Sequence, residues 1–234
     1  MAATAARLGL NAVAVAGENP PTPPRELESY NILGTDIRPL AKPELSIDEN
    51  IQICVNELQA QGMKPYGITE EASWLGACGY VLATIEIITQ LRALDIEPEV
   101  LVCPVGSAET MSGLVVGQRW LDCSYDVLGM SVSHSEQWCT ERVATLGYDV
   151  TSHLNIADTL PVDDIWVNAD YIGPGYGETS PEALDAVRQV ARLEGIFLDP
   201  IFTGKAMAGL IDLIAREEIR KGQTVVFLHT GSWP

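Results

Sequence analysis

The sequence predicts an α/β fold: an open, doubly wound, mostly parallel sheet held between two helical layers. Two observations carry this reading. Short apolar runs such as Glu99-Val100-Leu101-Val102-Cys103 have apolar residues on both faces, as strands buried on both sides require. Helical patterns alternate with them along the chain, and that rhythm builds βαβ units and a parallel sheet.

Taken in order, a helix ends near Gly9 and a strand covers Asn11–Ala16, the reading preferred over a weak signal peptide because Asn11 interrupts the apolar run. The proline-rich stretch from Gly17 to Pro24 is a loop, Glu26–Leu33 a short helix and Thr35–Leu40 a strand. Ser46-Ile47-Asp48-Glu49 has the spacing of a capping box and opens a helix to about Gln61. Leu75–Leu91 is a long helix, and a turn over Gly106–Thr110 leads from the strand Glu99–Cys103 into a helix Met111–Leu121. Tyr125–Val132 is a strand, and Ser135–Leu146 a helix capped by Ser133 or Ser135. The remaining elements are a strand Asp164–Tyr171, a helix Pro181–Glu194, a strand Ile196–Asp199, a helix Lys205–Arg220 and a strand Thr224–His229. A soft boundary near residues 65–72 divides the 234 residues into 1–72 and 73–234.

The net charge of −18 argues against nucleic acid and anionic membrane surfaces as partners, since phosphates would be repelled. No apolar stretch reaches the roughly 20 residues of a membrane span. Cys54, Cys78, Cys103, Cys123 and Cys139 are scattered, with no CxxC pair, and read as reduced residues of a cytoplasmic protein. His134 and His153 lack metal-ligand neighbours in sequence; no metal is expected. His229 reads equally as a buried, hydrogen-bonded residue or a functional one.

Three segments suggest chemistry. Val105-Gly106-Ser107-Ala108-Glu109-Thr110 joins a buried strand to a helix, and such a turn exposes backbone N–H groups to an anion such as phosphate. Ala169-Asp170-Tyr171-Ile172-Gly173-Pro174-Gly175-Tyr176-Gly177 shapes a turn that projects Tyr176. Leu198-Asp199-Pro200-Ile201-Phe202-Thr203-Gly204-Lys205 is expected to place Thr203 at a strand's carboxyl end beside a helix N-terminus, where open α/β sheets carry their sites.

With Leu75-Gly76-Ala77-Cys78-Gly79-Tyr80, these segments resemble, in consistent order over nearly the whole chain, the pyridoxal-phosphate family of D-cysteine desulfhydrase, L-cysteate sulfo-lyase and 1-aminocyclopropane-1-carboxylate deaminase. The resemblance implies a tryptophan synthase beta-like, fold type II architecture, with 1–72 the remainder of a small α/β domain and 73–234 the cofactor-binding domain. It implies pyridoxal 5'-phosphate as cofactor, a small amino-acid substrate and a homodimer. By the same resemblance Gly106, Ser107, Ala108 and Thr110 hold the phosphate, Thr203 faces the pyridine nitrogen, Tyr176 is catalytic, and Ser73 and Tyr176 contact substrate. Thr203 stands where the deaminase branch has glutamate, and favours a carbon–sulfur lyase that releases sulfide or sulfite with pyruvate and ammonia. The alternatives are a deaminase-like enzyme and a non-catalytic small-molecule-binding paralogue; a nucleotide-binding domain is disfavoured because no GxGxxG follows a strand.

Four departures from the family pattern accompany it. Glu109 replaces glycine in the phosphate loop, Phe202 replaces tyrosine, and Glu70-Glu71 replace small substrate-reaching residues. None of Lys42, Lys64, Lys205 and Lys221 matches the lysine that carries the cofactor, which in the family lies upstream of the matched region. The sequence is therefore expected to be an incomplete or degenerate copy.

Overall fold

The computed structural model describes residues 1–16, 24–157 and 160–231, in two compact units that divide between Ala72 and Ser73. The expected loop from Gly17 to Pro24 lies outside the described residues except for Pro24, which opens a helix.

The first unit holds α1 (Ala2–Arg7), β1 (Val13–Ala16), α2 (Pro24–Ile32), β2 (Asp36–Pro39) and α3 (Ile47–Ala60). β1 and β2 pair in parallel, Val13 opposite Asp36. Ser46 caps α3 as its sequence predicts: its hydroxyl accepts from the Glu49 N–H at 3.2 Å, and the Glu49 carboxylate accepts from the Ser46 N–H at 2.8 Å.

The second unit is a three-layer sandwich around a parallel sheet of order β5-β4-β3-β6, formed by β3 (Val100–Val105), β4 (Asp126–Ser131), β5 (Trp166–Asn168) and β6 (Val225–Phe227). Strand alternation sorts the core. Leu101, Cys103, Val105, Val127 and Val167 face one layer with Met111, Leu114, Val143 and Leu146 of α5 (Glu109–Trp120) and α6 (Glu136–Leu154). Val100, Val102, Leu128 and Met130 face the other, against Ala206, Leu210 and Leu213 of α8 (Thr203–Ala215). α7 (Pro181–Glu194) packs on α8, and α4 (Ser73–Ala93) lies across α5 and α6. This is the doubly wound arrangement expected from the sequence.

Several boundaries differ from expectation, each for a local reason. α5 begins at Glu109, two residues early, because Ala108 takes a left-handed conformation (φ 77°) that turns the chain into the helix. α6 runs on to Leu154, with Ser135 rather than Ser133 as its cap, since Val143, Leu146 and Val150 continue the buried stripe. α8 stops at Ala215, ahead of Glu217 at φ 60°. β5 spans only Trp166–Asn168, preceded by a 3₁₀ turn, Val162–Asp164. Ile196–Asp199 is not a strand. Ile196 and Phe197 are exposed, and the Asp199 carboxylate instead accepts the N–H groups of Ile201, Phe202 and Thr203 at 2.6–2.9 Å, ordering the entry to α8.

Glu70–Ala93 is long and apolar enough to cross a membrane by length and composition alone, which corrects the expectation that no stretch qualifies. The same helix uses Ala77, Val81 and Thr84 to pack within the second unit.

The described cysteines are free thiols. Burial pushes the Cys103 thiol from 9.0 up to about 12. The folded protein therefore holds this proton where the unfolded chain releases it. Stability from Cys103 is full below pH 9 and falls as pH rises toward 12, by about 1.4 kcal/mol per pH unit. Denaturant melts of wild type and Cys103→Val between pH 8.5 and 10.5 are expected to begin diverging near pH 9 and to approach that slope by pH 10.5.

Candidate active site

The loops that follow the parallel strands gather at the carboxyl edge of the sheet, where open α/β folds place their ligands. Gly106-Ser107-Ala108 follows β3, Val132 and Ser133 follow β4, and the segment through Gly173–Gly177 follows β5. Thr203 opens α8 rather than ending a strand, but its hydroxyl lies 3.4 Å from the carbonyl of Gly231, beyond β6. The sequence misplaced the element under Thr203 and still brought the residue to this edge.

In the β3–α5 turn, the amides of Glu109, Thr110 and Met111 have no helical carbonyl upstream and point out of the helix start. Ala108 is buried and held at positive φ, a strain of about 1 kcal/mol for a residue with a Cβ. Gly106 lies tight against Phe202: a Cβ there would stand 3.0 Å from Cε1 of that ring. Glu109 does not turn away from this loop. Its carboxylate accepts a short hydrogen bond from the Ser107 hydroxyl, and its Cβ and Cγ lie 3.8 Å from the position a Cβ on Gly76 of α4 would take. Ser73, at the start of α4, is half-buried one turn from that contact.

Phe202 joins the parts. Its ring abuts Gly106 on one side and meets the Tyr176 ring edge-on, with centroids 6.1 Å apart. Tyr176 is 63% exposed, on a loop whose glycines at 173, 175 and 177 all have positive φ (66°, 139° and 76°), conformations that favour glycine. Next to Phe202, Thr203 is fully buried: its hydroxyl donates to the Asp199 carboxylate at 2.7 Å and accepts from the Asp199 N–H at 2.9 Å. The structure thus brings Gly106, Tyr176 and Thr203 together around Phe202.

Two residues were undervalued in the sequence. Asp199, four positions before Thr203, holds both the α8 entry and the Thr203 hydroxyl; the Asp-Pro pair was its signal. Lys205 is only 1% exposed, and its ammonium donates to the carbonyls of Gly175 (2.7 Å) and Val132 (3.1 Å). Burial pulls its pKa below the usual lysine value, against a smaller opposing effect from Glu178. Elsewhere, Glu70 donates its N–H to Asp48 within the first unit (2.9 Å). His229 is exposed rather than buried, with Nε2 3.0 Å from the Phe197 carbonyl. His134 and His153 are exposed and stack on Trp138 and Trp74, each at 3.8 Å. Among the described residues, no three His, Cys, Asp or Glu side chains gather as for a metal.

A parallel sheet with a small-residue turn after β3, a Gly-rich loop after β5 and a hydroxyl at the α8 start agrees with the plan of a pyridoxal-phosphate enzyme. The chain belongs to the pyridoxal-phosphate-dependent enzyme family, whose model matches residues 1–231. Within it, the chain is 36% identical to D-cysteine desulfhydrase of Salmonella typhi, over all of this chain and 72% of that protein. It superposes on the crystal structure of an ACC deaminase homologue with a TM-score of 0.81 at 29% identity, covering 97% of this chain and 68% of the other. A hydrogen sulfide-producing enzyme from Fusobacterium nucleatum shares the fold at TM-score 0.64 and 18% identity, over 99% of this chain and 73% of that one.

The residues present fit the cofactor in outline. The α5 start offers its first amides with the Ser107 and Thr110 hydroxyls, and the Thr203 hydroxyl, donated to Asp199, lies at the same sheet edge. Two features fit poorly: the Glu109 carboxylate seated on Ser107, and the lack of a lysine at the matching position.

Proposed function

We propose that the protein acts in pyridoxal-phosphate-dependent carbon–sulfur cleavage of the D-cysteine desulfhydrase or L-cysteate sulfo-lyase kind. A β-substituted amino acid plus water would give pyruvate, ammonia and sulfide or sulfite. Bound cofactor supplies an electron sink for the pair left when the Cα proton departs. On this reading residues 73–234 form the cofactor-binding domain and 1–72 part of a smaller α/β domain.

The observation that carries the reading is the Thr203 hydroxyl, buried and neutral beside Asp199. Turned from Asp199, its proton is available to a ring nitrogen, without the full protonation that a glutamate provides. That suits β-elimination, in which the leaving group departs soon after the Cα proton. Gly106, Ser107, Ala108 and Thr110 hold the phosphate. Tyr176, exposed across the Phe202 ring, has the one phenolic proton of that pair and moves or holds it over the substrate. Phe202 excludes water but transfers nothing. Ser73, at the start of α4, hydrogen-bonds the substrate. The substrate is a small amino acid, the working form a homodimer, and the compartment the cytoplasm; the free thiols support the last.

A second reading, a non-catalytic small-molecule-binding paralogue, is favoured by Glu109 seated on Ser107. Product analysis separates these readings. With pyridoxal phosphate present, D-cysteine and L-cysteate are expected to yield pyruvate above the cofactor-only background, faster than 1-aminocyclopropane-1-carboxylate yields its keto acid. The reverse order would assign the deaminase reading, and background rates throughout would assign the binding paralogue.

A further inference from the structure

We infer that Lys205 is a positioning residue: its buried ammonium clamps the Tyr176 loop to the end of β4 by holding the carbonyls of Gly175 and Val132 together. The observations are geometric. Nζ lies 2.7 Å from the Gly175 oxygen and 3.1 Å from the Val132 oxygen, and the side chain is 1% exposed. No carboxylate among the described residues lies within ion-pair distance of it. A buried ammonium without a contact ion pair is costly, so the two carbonyls, with the Glu178 charge farther off, are the partners that retain it.

The clamp has a job because the loop has little else to hold it. Glycines 173, 175 and 177 all occupy positive φ, and glycine gains the most freedom when such a turn loosens. The further backbone bond closing this turn, from the Glu178 N–H to the Gly175 carbonyl, is long at 3.4 Å. Gly175 immediately precedes Tyr176, so fixing its carbonyl fixes the direction in which that ring leaves the chain. Lys205 is two residues past Thr203 on α8, so one helical turn holds Thr203 at Asp199 and Tyr176 through Gly175. The same carbonyl bonds make Lys205 a scaffold amine, unavailable to carry the cofactor.

This assignment rests on the reading of Tyr176 as a site residue. The test is hydrogen–deuterium exchange by mass spectrometry on Lys205→Met, which keeps an unbranched side chain one atom shorter and removes its donors. Exchange over residues 173–178 is expected to rise about tenfold, with α8 and β3 unchanged, and the Tyr176–Phe202 aromatic NOE to weaken. Exchange unchanged at 173–178, or raised equally everywhere, would overturn the clamp. If Lys205→Met does not fold, the wild-type protein decides: amides of Gly177 and Glu178 protected against exchange support the clamp, and unfolded-chain rates there overturn it. A pyruvate assay of Tyr176→Phe stands apart: an unchanged rate would remove the catalytic role of Tyr176 and leave the exchange result intact.

Discussion

Replacing Glu109 by glycine is expected to tighten the binding of pyridoxal phosphate by about ten- to a hundredfold. The Glu109 carboxylate lies on the Ser107 hydroxyl, at the start of the helix whose free amides would meet a phosphate. It already satisfies part of that cradle and opposes the charge that would replace it. Two like charges about 5 Å apart repel by roughly 1 kcal/mol in water and about 3 kcal/mol at an effective dielectric of 20, and a phosphate carries more than one. Removing the carboxylate frees Ser107 and relieves this repulsion. Glu109→Gln separates charge from shape: it should recover most of the gain, with a weaker dependence on salt. Fluorescence titration with the cofactor, and with inorganic phosphate as a minimal probe, measures both variants. Equal affinities for wild type and Glu109→Gly would mean that phosphate does not bind at this turn.

The largest effect on stability is expected at Gly113. A Cβ there would stand 2.0 Å from the Ala77 carbonyl oxygen and 2.6 Å from the Tyr80 Cβ, so α5 and α4 meet backbone to backbone. The contact cannot relax by moving a side chain tip. Gly113→Ala is expected to cost about 3 kcal/mol or more, the upper range for overpacking. Because α4 begins at Ser73 and α5 at Glu109, pushing these helices apart also moves two parts of the site. Chemical denaturation should show a lower midpoint for Gly113→Ala, with Gly79→Ala as the control, since a Cβ at Gly79 meets nothing within 4 Å. Helix propensity alone would make Gly79→Ala slightly more stable, so a control that falls as far as Gly113→Ala would contradict the packing account.

These two glycines show what the sequence revealed and what it withheld. The apolar runs of β3 and β4 were legible because strands buried on both faces leave no polar alternation. The cap at Ser46 was legible because its chemistry lies within four residues. Tertiary contacts were not. Nothing local tells Gly113 from Gly79, since the difference lies in the helix that crosses one and not the other. Ile196–Asp199 had strand composition, but Asp199 spends its carboxylate on the α8 entry. The β3–α5 turn is legible from residue order, while the direction of Glu109 depends on Ser107 being free to donate. Lys205 was the hardest to foresee, because both of its partners are backbone carbonyls, and a carbonyl leaves no trace in residue type.

The central claim is that this chain holds pyridoxal phosphate through the β3–α5 turn and Thr203, with none of its four lysines carrying it. Borohydride reduction of the purified protein with the cofactor, followed by peptide mass spectrometry, tests it most directly, with Ser107→Ala as the comparison. The account predicts saturable cofactor binding that Ser107→Ala weakens, and no stoichiometric adduct on Lys42, Lys64, Lys205 or Lys221. A single stoichiometric adduct on one of these lysines, Lys205 above all, would contradict it.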